Sequence, residues 1–128
     1  MSIKIDISYG ELLDKITILE IKSERIADKA KLENVHTELR VLQDAWDEEG
    51  IVSEQISAAR DELKKINEAL WDIEDDIRQL EATKSFGENF IALARSVYRT
   101  NDDRAAVKRK INEALGSALV EEKSYQDY

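Results

Sequence analysis

Six basic side chains crowd into Arg95–Lys110, RSVYRTNDDRAAVKRK, within a chain whose formal net charge is −9. On helical spacing Arg95 and Arg99 are i,i+4 neighbours, and so are Arg104 and Lys108. Guanidinium groups suit two-pronged binding of a carboxylate or phosphate. Arg95, Tyr98, Arg99, Asn101, Arg104 and Lys108 therefore form a candidate site for an anionic ligand. The polar run Thr100-Asn101-Asp102-Asp103 reads as a turn, folding the segment into a helix–turn–helix corner that brings the two basic pairs together. A solvated helix surface, or an ion-pair network with acidic residues elsewhere, competes with that reading.

The densest acidic cluster is Asp72, Glu74, Asp75 and Asp76. Asp72, Asp75 and Asp76 share one helical face, where their carboxylates could hold a hard cation such as Mg²⁺. They could equally be a solvated face, or the partners of the Arg95–Lys110 cations. His36 is the only histidine and cysteine is absent, which argues against a transition-metal site and excludes a thiol nucleophile and a disulfide. No nucleophile–base pair or Gly-rich phosphate loop is present to turn binding into catalysis, which favours a non-catalytic protein.

The elements that must position these groups are helical. Proline is absent, glycine occurs four times, and good helix formers dominate the 128 residues. Ile3, Ile5 and Ile7 alternate with polar residues, so residues 1–8 read as a short extended arm or strand. Ser8 and Glu11 form a capping box before a wide apolar stripe of Leu12, Leu13, Ile16, Ile18, Leu19, Ile21 and Ile26. A phase slip follows, with Asp28 as the next cap and a stripe of Leu32, Val35, Leu39, Leu42 and Trp46. From a cap at Ser53, Ile56, Ala59, Leu63, Ile66, Leu70, Ile73, Ile77 and Leu80 keep strict three-four spacing. That is a heptad seam on a helix of roughly 45 Å. Ser85-Phe86-Gly87-Glu88 repeats the capping box of Ser8-Tyr9-Gly10-Glu11 and opens a helix with Phe90, Leu93 and Val97 inward. After the turn at Thr100–Asp103, a last helix carries Val107, Ile111 and Leu115 to Gly116.

These elements predict an all-α antiparallel bundle of about five helices within one domain spanning 1–128. The long heptad helix is its spine, residues 1–8 its arm and residues 117–128 its C-terminal tail. Residues 1–85 carry 12 basic against 21 acidic groups, whereas residues 86–115 carry six against four. Net acidity disfavours nucleic acid and anionic membranes as partners. No window approaches the length of a membrane span, and MSIKIDISYG lacks the apolar run of a secretory signal. A cytoplasmic protein is expected.

The segment from Leu13-Asp14-Lys15-Ile16 to Ser23-Glu24-Arg25 resembles the first helix of helical chorismate mutases, but departs from it at His36 and Thr37, where a substrate-binding lysine is expected. A broader likeness runs through ISYGELLDKITILEIKSERI, WDIEDDIRQLE, FIALARSVYRTNDDRAAVKRKIN and LVEEKSY. These resemble a family of uncharacterised bacterial proteins of unknown function, and the likeness implies a small, soluble, single-domain protein with no residue roles to carry over. The expectation is a non-catalytic helical interaction or assembly protein, paired as a homodimer through Ile56–Leu80. The competing expectation is a small enzyme or sensor that binds a phosphate or carboxylate ligand, with or without Mg²⁺.

Overall fold

The computed structural model describes all 128 residues and contains four helices and no strand. They are α1 (Tyr9–Arg25), α2 (Lys29–Glu48), α3 (Glu54–Ala82) and α4 (Glu88–Leu115). None is long and apolar enough to cross a membrane. Side-chain oxygens start the first three helices at the expected residues. Ser8 accepts from the Glu11 backbone N–H at 3.1 Å, Asp28 from Lys31 at 3.1 Å and Ser53 from Ile56 at 3.3 Å. Each satisfies one of the amide groups that a helix N-terminus leaves unpaired.

Two expectations about the last third of the chain are corrected. Ser85 caps nothing: its hydroxyl meets Thr83, and Gly87 takes the capping position without a side-chain bond. More consequentially, no turn occurs at Thr100–Asp103. The helix passes straight through, so the bundle has four helices rather than five. The reason lies in the phase. Phe90, Val97, Arg104 and Ile111 fall seven apart, so the inward stripe continues through the polar run. Nothing in Thr100-Asn101-Asp102-Asp103 breaks a helix as Gly or Pro would. The helix ends at Gly116, whose φ of 63° allows Ser117 N–H to reach the Asn112 carbonyl at 2.8 Å.

α1 is the only helix that packs against all three others. Eight of its 17 residues are buried, against two of 20 in α2, so the wide apolar stripe does face several neighbours. The core joins Leu12, Leu13 and Ile16 to Trp46, to Ile56, Ala59 and Leu63, and to Val107 and Ile111. At the edge of that core Tyr9 meets Trp46 edge to face, with ring centroids 6.4 Å apart. Arg25, at the end of α1, reaches Glu68 and Asp72 on α3. At 29 residues against 17, α3 is longer than α1 by roughly 18 Å. The outer part of the α3–α4 pair therefore extends past the core. Residues 1–7 form neither helix nor strand, and Ile3 and Ile5 stand exposed.

At Gly10 the backbone of α1 lies directly against α4. A Cβ there would stand 2.5 Å from the Lys108 carbonyl oxygen and 3.0 Å from Asn112 Oδ1. Backbone cannot move aside as a flexible side chain would, so Gly10→Ala should destabilise by about 2–3 kcal/mol. Gly87→Ala, with nothing within 4 Å of the added carbon, should lose less than about 1 kcal/mol. Urea denaturation of both variants checks this; equal losses would contradict the close approach.

Candidate functional site

On α4 the polar residues Asn101, Arg104, Lys108 and Asn112 follow three-four spacing, so one helix face carries all of them towards α1 and α3. Lys108 is the most enclosed cation, its side chain 10% exposed. Its Nζ lies 2.6 Å from Glu11 Oε2, 2.7 Å from Glu121 Oε2 and 3.8 Å from Asp14 Oδ2. Burial alone would lower the Lys108 pKa; the hydrogen bonds to Glu11 and Glu121 outweigh it and hold the group above the usual lysine value. Asp14 is buried in turn. Its Oδ1 accepts from Asn67 Nδ2 at 2.9 Å, and the same nitrogen donates to Thr17 Oγ1 at 3.0 Å. Asn112 Oδ1 accepts from the Gly10 backbone N–H at 2.7 Å, near the start of α1. These bonds clasp α1 to both members of the α3–α4 pair.

Two openings flank this clasp, and both are lined by Asn101 and Arg104. One, of about 460 Å³, lies between α4 and the tail, with Tyr98, Lys108, Glu121 and Lys123 in its walls. The other, of about 430 Å³, opens between α1, α3 and α4 over Ile18, Ile21, Leu70 and Trp71. The tail lies along α4 through charged and polar contacts and through the Tyr128 ring on Tyr98. Glu121 binds Lys108, Glu122 binds Arg109, and Lys123 and Tyr128 both reach Asp102, while Leu119, Val120 and Tyr125 remain exposed.

The continuous α4 separates the six ligand candidates. Tyr98, Asn101, Arg104 and Lys108 line the first opening. Arg95 and Arg99 are exposed and outside it, so the two basic pairs do not converge. Tyr98 packs edge to face on Tyr128, with centroids 5.2 Å apart. The suggested network between α4 cations and Asp72, Asp75 and Asp76 does not form: Asp72 pairs with Arg25 at 2.6 Å, and Lys108 and Arg109 find their carboxylates on α1, on α4 itself and on the tail. Asp75 lines the second opening, and no group of three or more Asp, Glu or His side chains gathers as a cation site.

Asp14, Thr17, Asn67 and Asn112 were not singled out by sequence reasoning. Their signal is position: Asn67 follows Ile66, Asn112 follows Ile111, and Asp14 sits inside the widest apolar stripe. A polar residue on an inward face must find a partner or lose about 1–3 kcal/mol.

Residues 3–128 match a family of unknown function, DUF6165, and the chain belongs to it. None of the curated proteins and none of the solved structures is significantly similar to it.

Glu121 titrates below the usual carboxylate value because Lys108 hydrogen-bonds its ionised form. A depressed acid contributes its attachment above the unfolded value of 4.5, and that contribution disappears as pH falls through the lower folded value. Acidification below pH 4.5 should therefore loosen residues 117–128 while the helices persist, and Glu121→Gln should loosen them at neutral pH. Backbone ¹⁵N relaxation reads both. A tail that stays rigid in the Gln variant removes Glu121 as its anchor.

Proposed function

We propose that this DUF6165 protein is a non-catalytic, cytoplasmic assembly protein that pairs as a homodimer through the outer part of the α3–α4 hairpin. The observation that carries the reading is the burial pattern: no α3 residue after Leu70 and no α4 residue before Val107 is fully buried. Ile73, Ile77 and Leu80 on α3, and Phe90, Leu93 and Val97 on α4, are covered only in part, and Phe86 and Ile91 at the hairpin end are more than half exposed. A run of partly exposed apolar side chains ending in two exposed ones is consistent with an association face. Ile56, Ala59, Leu63 and Leu70 are already engaged in burial within the chain, which narrows the pairing surface from Ile56–Leu80 to its outer half.

Charge supports a second copy as the occupant. Asp76 and Glu81 flank the α3 seam as positions beside a heptad core, and neither has an ion-pair partner. Arg95 and Arg99 on α4 have none either. Two-fold pairing sets the acidic flank of one copy against the basic helix of the other. The reading takes α3 and α4 as antiparallel partners in a coiled-coil-like seam. Arg104 opposite Asn67, and Asn101 beside Leu70 and Trp71, support that direction.

Light scattering at high micromolar concentration should give twice the chain mass of 14.7 kDa. Arg95→Glu/Arg99→Glu and Asp76→Lys/Glu81→Lys should each be monomeric alone and form a heterodimer when mixed, read by native mass spectrometry. A monomeric wild type sinks the proposal.

A further inference from the structure

Arg104 occupies an apolar seam position, the third of the series Phe90, Val97, Arg104, Ile111. A cation there ordinarily requires a carboxylate partner. Of the eight arginines only Arg60 and Arg104 are not exposed. Arg60 is paired with Glu20 at 3.2 Å and with Gln43 at 3.0 Å. Arg104 has no carboxylate within 4.0 Å, and its one protein hydrogen bond is a long one, 3.4 Å to Asn67 Oδ1. A guanidinium carries five N–H donors in a planar fork, so most of this one's capacity faces the openings beside it. Asn67 is itself fixed, because its amide nitrogen donates to both Asp14 and Thr17.

Arg104 is thus held by one long bond, within electrostatic reach of Glu121 but hydrogen-bonded to no carboxylate. Glu74 and Asp75 line the same 430 Å³ cleft, and Ile18, Ile21, Leu70 and Trp71 make up the apolar part of its wall. Glu74 is engaged with Arg78, whereas Asp75 has no ion-pair partner. One opening therefore presents a fork for a carboxylate, a carboxylate for an ammonium, and an apolar floor that includes an indole. Its volume falls in the range of small-molecule sites.

We propose that this cleft binds a free α-amino acid with an apolar or aromatic side chain, its carboxylate on Arg104, its ammonium towards Asp75 and Glu74, and its side chain over Leu70 and Trp71. A phosphate would satisfy Arg104 but meet two carboxylates of its own sign. A plain hydrocarbon would cover Trp71 and leave Arg104 desolvated without a partner. A zwitterion satisfies both ends. The cleft is built within a single chain, so binding does not depend on dimer formation.

The test is an NMR titration of the full chain with L-phenylalanine and L-leucine, following the Trp71 indole N–H and the Arg104 side chain. Saturable shifts at both groups are expected. N-acetyl-L-phenylalanine and L-phenylalaninamide, each lacking one charge, should bind at least about tenfold more weakly. Arg104→Gln should weaken L-phenylalanine by a similar factor. Asp75→Asn, at an exposed position that leaves the fold intact, should weaken L-phenylalanine and leave the acetylated compound unchanged. Lys65→Gln, elsewhere on α3, should change neither. No saturable shift by about 10 mM overturns the proposal. So does equal binding of the blocked compounds, which would mark apolar adsorption, or tighter binding of inorganic phosphate, which would mark a simple anion site.

Discussion

The clasp that Lys108, Asp14, Asn67 and Asn112 make around α1 is the constraint on which the rest of the molecule depends. A buried ion pair is a weak source of net stability, because taking charges out of water offsets most of their attraction. Its effect here is positional. Sliding α1 along α4 by one helical turn would move it about 5.4 Å and break the Asn112 bond to Gly10 and the Asn67 bond to Asp14. Leucine and isoleucine would tolerate such a slip with little preference; the charged and amide groups do not. Gly10 works to the same end, since only a residue without Cβ lets the Asn112 amide reach the backbone of α1.

With α1 held in register, the molecule divides its labour along the hairpin. The inner half of α3 and α4 completes the core against Leu13 and Ile16, while the outer half projects as a two-helix ribbon whose seam no third helix covers. Arg104 sits at the boundary. It lies too far inward to be an ordinary surface cation, and it lines two openings without making an ion pair. The tail adds a second, charge-held layer on the outer side of the same boundary.

Much of this was legible before any coordinates. The starts of α1, α2 and α3 follow from Ser8, Asp28 and Ser53, because a capping side chain acts within three residues of itself. The continuity of α4 departs from the sequence expectation for two physical reasons. Asn and Asp favour turns only where no longer-range stripe holds them in a helix, and here the seven-residue spacing from Phe90 to Ile111 does so. The stripe was hard to see because a cation, Arg104, occupies one of its positions. The clasp was not legible because Lys108 and Glu11 are 97 residues apart, and periodicity marks a face without naming its partner. Arg95 and Arg99 looked equivalent to Arg104 and Lys108 only while a turn was assumed between them.

The bond between Gly10 and Asn112 spans 102 residues, and it has a consequence for the order in which the protein takes shape. α3 and α4 are joined by five residues and can find each other locally and fast, as neighbouring helices do. Of these four helices, the first to leave the ribosome waits longest. Its inward stripe stays solvated until residues 107–112 have been synthesised, because one wall of its site belongs to the last helix. The most apolar helix of the chain is therefore the one exposed for the longest part of its own synthesis, and that window is when the nascent chain is most open to misassociation.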